Sequence, residues 1–360
     1  MRVAFVVELF FPHIGGSERR YEILTEWLSG NGFEVDVHTS RYSTSLPAEE
    51  RKGAVRIFRH GVGRHYVRGA KRSLYGSFRL AMSSLFVKAA GDYDIYYLSE
   101  WPLLHSLLSP IRRAKTVQEW CEVWEGRSVM ALERIVAKAS DHHVAVSEFT
   151  LERTRDLLGI RDVRLIPNPL KLGEMRRYRK PRVEGRIVYV GRLLPHKHVD
   201  MLVRCMPKIK MELHSAELHI VGSGPEEERI RDMARDINGV VVHGNLPDPE
   251  LYELLSTASL FVLASEREGD GISALEAMTF GTPIVTANYP NNAALRFARS
   301  GAGLVAEPEV ESFASACAKL LADAELWERA SRKANELAET RDVDRVGKLL
   351  ADLFEQVVRG

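Results

Sequence analysis

The stretch "LFVLASEREGDGISALEAM" (260–278) contains the pattern that decides the fold. Its first six residues are apolar or small and indicate a buried strand. The turn at 269–271 alternates glycine with aspartate, so its backbone N–H groups can come close to a ligand. The segment after the turn indicates a helix that begins near Ser273 and ends at Gly281. A strand, a glycine turn and a helix in this order are typical of a parallel α/β sheet.

The same alternation of short apolar runs and helical patterns continues along the chain in both directions. The runs that indicate strands lie at 2–7, 34–39, 54–59, 94–99, 115–119, 143–147, 163–167, 186–191, 217–222, 240–244, 260–265, 283–287 and 302–306. Each half of the chain therefore predicts a Rossmann-like domain, and the fold class is expected to be α/β. The remaining segment, 309–360, indicates helices only.

Length and composition limit the class of protein. A chain of 360 residues is too long for one ordinary core, so two domains are expected. The three cysteines are odd in number and far apart, which favours a reducing cytosol over a disulfide framework. Glu8 interrupts the apolar opening, which we interpret as a first strand and not a signal peptide. No apolar run is long enough for a membrane span, and we expect a cytoplasmic protein.

Charge is distributed unevenly and indicates a domain boundary. Net charge is +4 over 1–168, +5 over 169–186 and −8 over 187–360. Prolines at 167, 169 and 181 lie in or just before the basic segment, which is typical of a linker. We therefore predict a first domain at 1–180 with its linker, a second domain at 181–340, and a terminal helix at 341–360 that can cross back to the first domain.

In parallel sheets of this kind, ligands bind outside the carboxyl ends of the strands, so the loops after strands are the candidate sites. The loop "FFPHIGGSERR" (10–20) follows the first strand. Gly15 and Gly16 let the backbone come close to a ligand, and Ser17 can cap the next helix. A helix N-terminus of this kind suits a phosphate. The alternative is a capped turn without a ligand.

A second loop, "YVGRLLPHKHVD" (189–200), brings two cations to one strand end. Arg192 and Lys197 together meet the needs of a diphosphate leaving group, whose negative charge grows as its bond breaks. The alternative is a solvated basic loop.

A third loop, "IVGSGPEEERI" (220–230), has Gly222, Ser223 and Gly224 before a helix that Pro225 can begin. Its spacing is not G-x-G-x-x-G, so it does not indicate a dinucleotide site. A plain strand-to-helix turn is the favoured interpretation.

Two carboxylates flank the turn of the opening stretch. Ser273 and Glu276 fit the S-x-x-E capping box, which would give Glu276 a structural role. The functional alternative is that Glu268 and Glu276 both accept hydrogen bonds from sugar hydroxyls, while backbone N–H groups of the turn hold the rest of the sugar.

Together these loops resemble the retaining group 1 glycosyltransferases, which have the GT-B fold of two Rossmann-like domains facing a central cleft. The segment "EREGDGISALEAMTFGTPIV" (266–285) resembles the E-x7-E segment of that family and the strand entry after it. "VGRLLPHK" (190–197) resembles its V-G-R-x-x-x-x-K loop. "VAVSEFT", "IPNPL" and "HGNLPDPELYELLSTASLFVLAS" follow the family's order.

The resemblance implies a role for each matching residue. Glu268 would contact the donor sugar, Glu276 the ribose, and Arg192 with Lys197 the diphosphate, while the backbone around Leu246 would lie against the base. The catalytic residues would be Glu268, Arg192 and Lys197. Other donor-binding residues would be Gly15, Gly16, Gly191, Gly222, Ser223, Gly269, Asp270, Gly271 and Ile272.

Two positions depart from the family's pattern. Many members have an aromatic residue where this chain has Asp270, and a histidine where this chain has Cys121. Because that histidine touches the donor sugar, Cys121 is a candidate sugar contact. His13 and His105 are two histidines that are candidates to replace it.

The function implied is transfer of a hexose from a nucleoside-diphosphate sugar, of the UDP or GDP type, to a glycan or lipid-linked acceptor. The departing phosphate oxygen would itself take the acceptor's proton, so no metal or other cofactor is expected. A binding protein for nucleotide sugars that has lost catalysis remains an alternative, motivated by Cys121 and Asp270. An isomerase of nucleotide sugars is disfavoured by the E-x7-E pattern.

The acceptor side is indicated by charge alone. Residues 51–91 contain seven Arg and three Lys without an acidic residue, and "RRYRKPR" (176–182) adds to them. The segment 72–90 combines an apolar face with cations, which suits an anionic membrane surface or an acidic acceptor. A solvated helix face is the alternative. We expect no nucleic-acid partner.

Overall fold

The computed structural model describes the chain except for Ile14, 62–66, 69–70, 73–91, Pro102, 104–105, 107–113 and Glu125. The basic segment 72–90 therefore lies almost wholly outside the described residues, as does His105. The chain forms two compact units. The first unit contains Met1–Pro169 and Val343–Gly360, and the second unit contains Leu170–Asp342.

The division between the units differs from the boundary predicted near residue 180. Leu170, Leu172 and Met175 are all buried in the hydrophobic core of the second unit. Charge and proline content marked 169–186 as a linker, but these apolar side chains fix its first part to the second core. The chain therefore passes between units at Pro169 and Leu170.

The first unit contains a sheet of eight strands with helices. Its strands are β1 (Arg2–Val6), β2 (Glu34–Ser40), β3 (Glu49–Lys52), β4 (Val55–His60), β7 (Ile95–Leu98), β8 (Lys115–Trp120), β9 (His142–Ala145) and β10 (Val163–Leu165), and a separate pair is β5 (Val67–Arg68) with β6 (Lys71–Arg72). The order β10-β9-β8-β7-β1-β2-β4-β3 is parallel throughout except for the β3–β4 pair. The described helices are Gly16–Gly30, Arg127–Ala139, Glu148–Leu158 and Val343–Arg359.

The terminal helix Val343–Arg359 completes the core of the first unit. Val346, Leu350 and Phe354 are fully buried in the same cluster as the β1 residues Val3 and Phe5. Gly347 packs so closely on the Trp27 ring that a Cβ atom there would overlap with it. The Trp27 indole Nε1 donates to Asp344 Oδ1 at 2.7 Å. A segment remote in sequence therefore supplies one face of this core.

The second unit is a Rossmann-like sheet in which all strand pairs are parallel. Its strands are β11 (Arg186–Val190), β12 (Glu217–Val221), β13 (Val240–Gly244), β14 (Leu260–Leu263), β16 (Ile284–Ala287) and β18 (Gly303–Ala306), with a short pair β15 (Arg267–Glu268) and β17 (Asn291–Asn292) outside it. The order β13-β12-β11-β14-β16-β18 is the 3-2-1-4-5-6 order of a dinucleotide-binding fold. Its longer helices are Val199–Glu212, Glu227–Arg235, Asp248–Ser256, Val310–Ala322 and Ala324–Glu339, and its shorter ones are Leu172–Met175, Ile272–Met278 and Leu295–Phe297.

The basic linker is engaged by the second unit. Arg176 pairs with Glu339, and Lys180 Nζ lies 2.8 Å from Glu253. The Arg182 guanidinium lies 3.9 Å from the centroid of the Trp327 ring. These cations therefore have intramolecular partners, which weakens the argument that they bind an acidic acceptor. Within the described part of the chain, no helix is both long and apolar enough to cross a bilayer.

Candidate active site

The candidate site of the second unit lies where its strand order reverses. β11 and β14 are neighbours at the centre of the sheet, and the connections after them run in opposite directions. The crevice outside the carboxyl ends of such a strand pair is the usual ligand site of this fold. Lys197 follows β11 and Glu268 follows β14. The structure brings these two predicted residues together, with Lys197 Nζ 2.7 Å from Glu268 Oε1.

The backbone of Glu268 is fixed from a third segment of the chain. Arg267 and Glu268 form β15, which pairs with β17, and Ala293 N donates to Glu268 O at 3.0 Å. Lys197 Nζ also donates to the Arg267 carbonyl at 3.4 Å. The Lys197 and Glu268 side chains are only 15% and 14% exposed, so water screens their interaction little.

The loop after β11 presents its cations in a defined way. A short 3₁₀ turn, Pro195–Lys197, ends at His198, whose φ of 48° is in the left-handed region. The His198 ring stacks on Tyr289 with centroids 5.5 Å apart. Arg192 is exposed, and its carbonyl accepts a hydrogen bond from the Tyr189 hydroxyl at 3.1 Å. The loop is therefore held by contacts at both ends, while Arg192 between them is exposed.

Sequence reasoning missed His196 and Arg267, which belong to the same site. Burial and the nearby charges of Lys197 and Arg267 together lower the pKa of His196 to about 4. The ring is therefore neutral at neutral pH. Three cations, Lys197, Arg267 and Arg192, and the Glu268 carboxylate act on it, and the exposed Glu266 carboxylate lies 3.8 Å from His198 Nε2. This balance favours an anionic ligand.

The glycines of the second and third loops have a packing role. A Cβ atom at Gly222, whose φ is +130°, would overlap with the Gly191 carbonyl, and one at Gly224 would overlap with the Leu193 carbonyl. Leu193 N donates to Ser223 O at 2.9 Å. These glycines therefore allow the two loops to pack closely against each other.

Leu246 lies just beyond β13, on the same edge of the sheet, and is half-buried. The side-chain amide of its neighbour Asn245 donates to Ser223 Oγ at 3.1 Å. An open groove beside them is lined by Gly224, Pro225, Glu227, Glu228 and Arg231. This end of the sheet therefore offers a polar surface next to the cations.

Of the two alternatives for Glu276, the capping box with Ser273 does not agree with the structure. The helix Ile272–Met278 begins one residue earlier than expected, and its N-cap is Gly271, with φ 85° and no side-chain cap. Glu276 instead lies in the second turn of this helix and is buried, with 7% exposure. Its carboxylate is therefore not explained by capping.

Asp270 has a role that the sequence did not indicate. Its side chain is only 2% exposed and forms ion pairs with Arg296 and with Arg341, the latter at 3.5 Å. The carboxylate is thus turned into the second unit, while the backbone of Gly269, Gly271 and Ile272 continues along the edge of the site.

In the first unit, the helix after β1 begins at Gly16, with Gly15 as its N-cap. Its N-terminus has no side-chain cap, so the cap predicted at Ser17 is wrong. The carboxylate of Glu18 instead lies beside Gly15. His13 Nδ1 is 3.6 Å from Glu18 Oε1. A carboxylate therefore occupies the surroundings of the helix N-terminus that was predicted to receive a phosphate.

Cys121 belongs to a buried polar cluster of the first unit. Its thiol donates to Glu119 Oε1 at 3.3 Å, and burial with the nearby Glu119 charge raises its pKa. Glu119 also accepts hydrogen bonds from Arg20 Nε at 2.6 Å and Tyr21 Oη at 2.7 Å. The thiol is therefore tied to this cluster, and its contact with a sugar stays a prediction.

Next to Cys121, Glu100 anchors the loop after β8. Its Oε2 accepts the backbone N–H groups of Cys121 and Glu122, both at 2.8 Å. Burial, with the neighbouring Glu122 charge, raises the pKa of Glu100 to about 8. Across the described residues, no three His, Cys, Asp or Glu side chains group as a metal site would require.

Comparison with known proteins places these features in a family. The family model for group 1 glycosyl transferases matches residues 174–337, and that for glycosyltransferase family 4 matches residues 14–174. The chain is 28% identical over 325 residues to an uncharacterized glycosyltransferase, MJ1607, of Methanocaldococcus jannaschii, with 80% of each chain covered.

Two further similarities are informative. The chain is 29% identical over 227 residues to the GDP-mannose-dependent alpha-(1-6)-phosphatidylinositol monomannoside mannosyltransferase of Mycobacterium tuberculosis, covering 57% of this chain and 58% of the relative. The sucrose-phosphate synthase structure from Thermosynechococcus elongatus has a TM-score of 0.84 at 19% identity, covering 99% of this chain and 98% of that one. The second comparison concerns the fold alone.

Proposed function

The chain belongs to the group 1 glycosyltransferases and has the GT-B fold, and from this premise we propose that it transfers a hexose with retention of anomeric configuration. The donor is a nucleoside-diphosphate sugar of the UDP or GDP type, and the acceptor is a glycan or a lipid-linked sugar of polysaccharide biosynthesis. One observation carries the proposal. At the strand-order reversal of the second unit, Lys197 and Glu268 form a close pair within a group of cations.

The proposed reaction uses these charges directly. The bond between the anomeric carbon and the donor phosphate oxygen breaks, and the diphosphate leaves with the electron pair. The acceptor oxygen bonds to the same face of the sugar, and its proton passes to the departing phosphate oxygen. Arg192 and Lys197 stabilise the negative charge that grows on the diphosphate. Glu268 accepts a hydrogen bond from a hydroxyl of the transferred sugar and orients it.

The remaining donor contacts follow the E-x7-E resemblance. Glu276 holds the ribose hydroxyls, and the backbone at Leu246 lies against the base. The mycobacterial relative uses GDP-mannose and a phosphatidylinositol mannoside, by its name. This supports testing a GDP-sugar and a lipid-linked acceptor first, beside the UDP-sugars.

The proposal requires no metal ion, because protein cations balance the diphosphate. It also places the protein in the cytoplasm, with peripheral contact to an anionic membrane through the basic segment 51–91. Within the described part of that segment, Arg56 pairs with Asp36, Arg59 with Glu50, and Lys52 with two glutamates. Membrane contact therefore rests on the other cations, and salt-sensitive binding to anionic vesicles tests it.

Two measurements test the proposed function. Thermal unfolding with UDP, GDP, ADP and their sugars should identify the donor, because a ligand at 100 times its Kd stabilises by about 2.7 kcal/mol. Release of the nucleotide should then require an acceptor extract and persist in EDTA. Binding by none of the nucleotides would refute the proposed donor class, and binding without turnover by any acceptor would indicate a binding protein. Loss of turnover in EDTA would refute the metal-free mechanism.

A further inference from the structure

Asp270 is the most buried ionic group beside the candidate site. It lies two residues after Glu268 and directly before Gly271, and its side chain is only 2% exposed. A carboxylate removed from water in this way is stable only with charged or hydrogen-bonding partners. Its two oxygens face two arginines, Arg296 at Oδ1 and Arg341 at Oδ2. A bound sugar would therefore meet the backbone of this turn and not the Asp270 carboxylate.

The first partner fastens the turn to the segment after β17. Arg296 follows β17 by four residues, and its guanidinium lies 4.7 Å from the centroid of the Phe297 ring. β17 itself pairs with β15, which contains Glu268. The Ala293 amide also donates to the Glu268 carbonyl. The turn 267–271 is thus attached to the segment 291–296 both by its backbone and by the Asp270 ion pair.

The second partner connects the turn to the place where the chain leaves the second unit. Arg341 Nη1 lies 3.5 Å from Asp270 Oδ2, and the Arg341 side chain is 12% exposed. The Arg341 carbonyl accepts the Leu170 amide at 2.7 Å, and Leu170 also forms a bridge with Asp342. Arg341 therefore holds the turn through its side chain. Through its backbone it also holds the two points at which the chain enters and leaves the second unit, Leu170 and Asp342.

We propose that Asp270 is a positioning residue: by joining Arg296 and Arg341, it fixes the turn that presents Glu268 and thereby sets how the transferred sugar is held. Asparagine at this position would keep the shape of the side chain but leave two partly buried arginines without its charge. The turn would then lose this ionic anchor and keep its other contacts, which include the β15–β17 pairing and the hydrogen bond from Ala293 N to Glu268 O. The part of this inference that concerns the sugar rests on the proposed function.

Hydrogen exchange of the full-length chain tests the positioning role without any donor. In Asp270→Asn, amide exchange within 266–272 should rise by at least about 10-fold, because an ion pair that holds the turn is lost. Exchange in β11, at 186–190, should stay within about 2-fold of the wild type. Asp270→Glu should restore protection in part. The matched control is Asp200→Asn, because Asp200 also pairs with two arginines, Arg204 on its own helix and Arg229 on the next one.

Donor binding tests the consequence for the site. For Asp270→Asn, affinity for UDP and GDP should stay within about 3-fold, whereas affinity for UDP-glucose or GDP-mannose and kcat should fall by at least about 10-fold. Unchanged exchange at 266–272, or an equal rise across the second unit, would overturn the proposal. An equal loss of nucleotide and nucleotide-sugar affinity would overturn its link to the sugar.

The failures of the two proposals are distinguishable. If the wild type binds none of these nucleotides, the proposed function fails, and the exchange measurement still decides whether Asp270 positions the turn. If Asp270→Asn does not fold, Arg296→Gln removes the more exposed partner, whose side chain is 20% exposed, and should raise exchange in the same turn. Protection as in the wild type would then contradict the proposal.

Discussion

Lys197 and Glu268, which are 71 residues apart in sequence, form an ion pair in which Nζ lies 2.7 Å from Oε1. Under the proposed function, the same lysine must approach the diphosphate and the same carboxylate must approach the sugar. The pair therefore has to exchange partners when the donor binds. In the structure the two charges are held by each other, and a bound donor would supply a replacement partner for each.

Glu268→Gln separates these two roles. It should lower kcat by about 10²-fold or more, because a contact with the reacting sugar is lost. It should not weaken UDP or GDP binding, since Lys197 no longer has a competing carboxylate. Steady-state kinetics and calorimetric titration measure the two effects. Glu266→Gln, at an exposed neighbouring position, is the control, and retained kcat in Glu268→Gln would remove Glu268 from the chemistry.

Arg192→Ala should weaken binding of a nucleoside diphosphate by about 10-fold and leave nucleoside binding almost unchanged, because the lost contacts are to phosphate. Lys197→Ala should act in the same direction. Arg204→Ala, which removes an exposed cation of the following helix, should change neither. Titrations with uridine, UDP, guanosine and GDP measure this difference. Equal losses for nucleoside and diphosphate would show that the phosphates are bound elsewhere.

Glu276→Gln should raise the donor KM by about 10-fold with little change in kcat, because a ribose contact is the same in the ground and transition states. Since Gly271 is the cap of the helix, Glu276→Ala should not cost the roughly 1 kcal/mol expected for a lost capping side chain. Kinetics and urea unfolding check both statements. A destabilised Glu276→Ala combined with a normal KM in Glu276→Gln would give Glu276 a structural role only.

Gly347→Ala should lower the free energy of unfolding by about 1–3 kcal/mol, because the added methyl group overlaps with the Trp27 ring and overpacking is costly. Leu349→Ala on the same helix is the control. Leu349 is 43% exposed, so its replacement should change stability by only about 0.5 kcal/mol. Denaturant unfolding provides the comparison. Equal stability of the two variants would contradict the packing described for the terminal helix.

Glu100 makes the stability of the first unit depend on pH. Its pKa rises from 4.5 to about 8 in the folded protein, so the folded state binds more protons than the unfolded state between these values. The free energy of unfolding should therefore fall as pH rises from about 4.5 to about 8, by at most about 1.4 kcal/mol per pH unit from this group. Above pH 8 this contribution is constant.

Glu100→Gln remains neutral at every pH and should therefore become steadily more stable than the wild type as pH rises through that range. Urea unfolding at several values from pH 5 to 9 measures the difference. Burial also raises the pKa of the neighbouring Glu133, to about 7, and the Glu133 charge contributes to the raised pKa of Glu100. A stability difference independent of pH would show that Glu100 is ionised throughout.

Local sequence patterns were sufficient to predict the central strands of both sheets. Runs such as 186–191 and 260–265 are apolar because parallel strands are covered on both faces, and each became a strand at the predicted place. The loops after these strands also contain the residues that meet, Lys197 and Glu268. Strand periodicity and loop position depend on residues that are close in sequence, so a local stretch of sequence is enough to determine them.

The features that could not be predicted from the sequence depend on residues that are far apart along the chain. Edge strand β3 and the two-residue strands β15 and β17 have too few apolar residues to produce a periodic signal. The boundary lies at Pro169 and not near residue 180, because Leu172 and Met175 pack in the core of the second unit, which forms only when the chain folds. The helix cap at Gly271 likewise depends on a remote residue. Gly271 has a left-handed φ, and the Cβ atom of Ala294 lies 3.3 Å from the place where a Cβ atom of residue 271 would lie.

The sequence thus determined the two Rossmann-like units and the loops that could hold a donor, because hydrophobic period and glycine position are properties of short segments. Only the tertiary structure decided the partners of the charged residues. Asp270 meets Arg341, 71 residues later, and Lys197 meets Glu268, because the order of parallel strands sets which loops are neighbours. An ion pair depends on distance in space, and no local pattern of residues contains that distance.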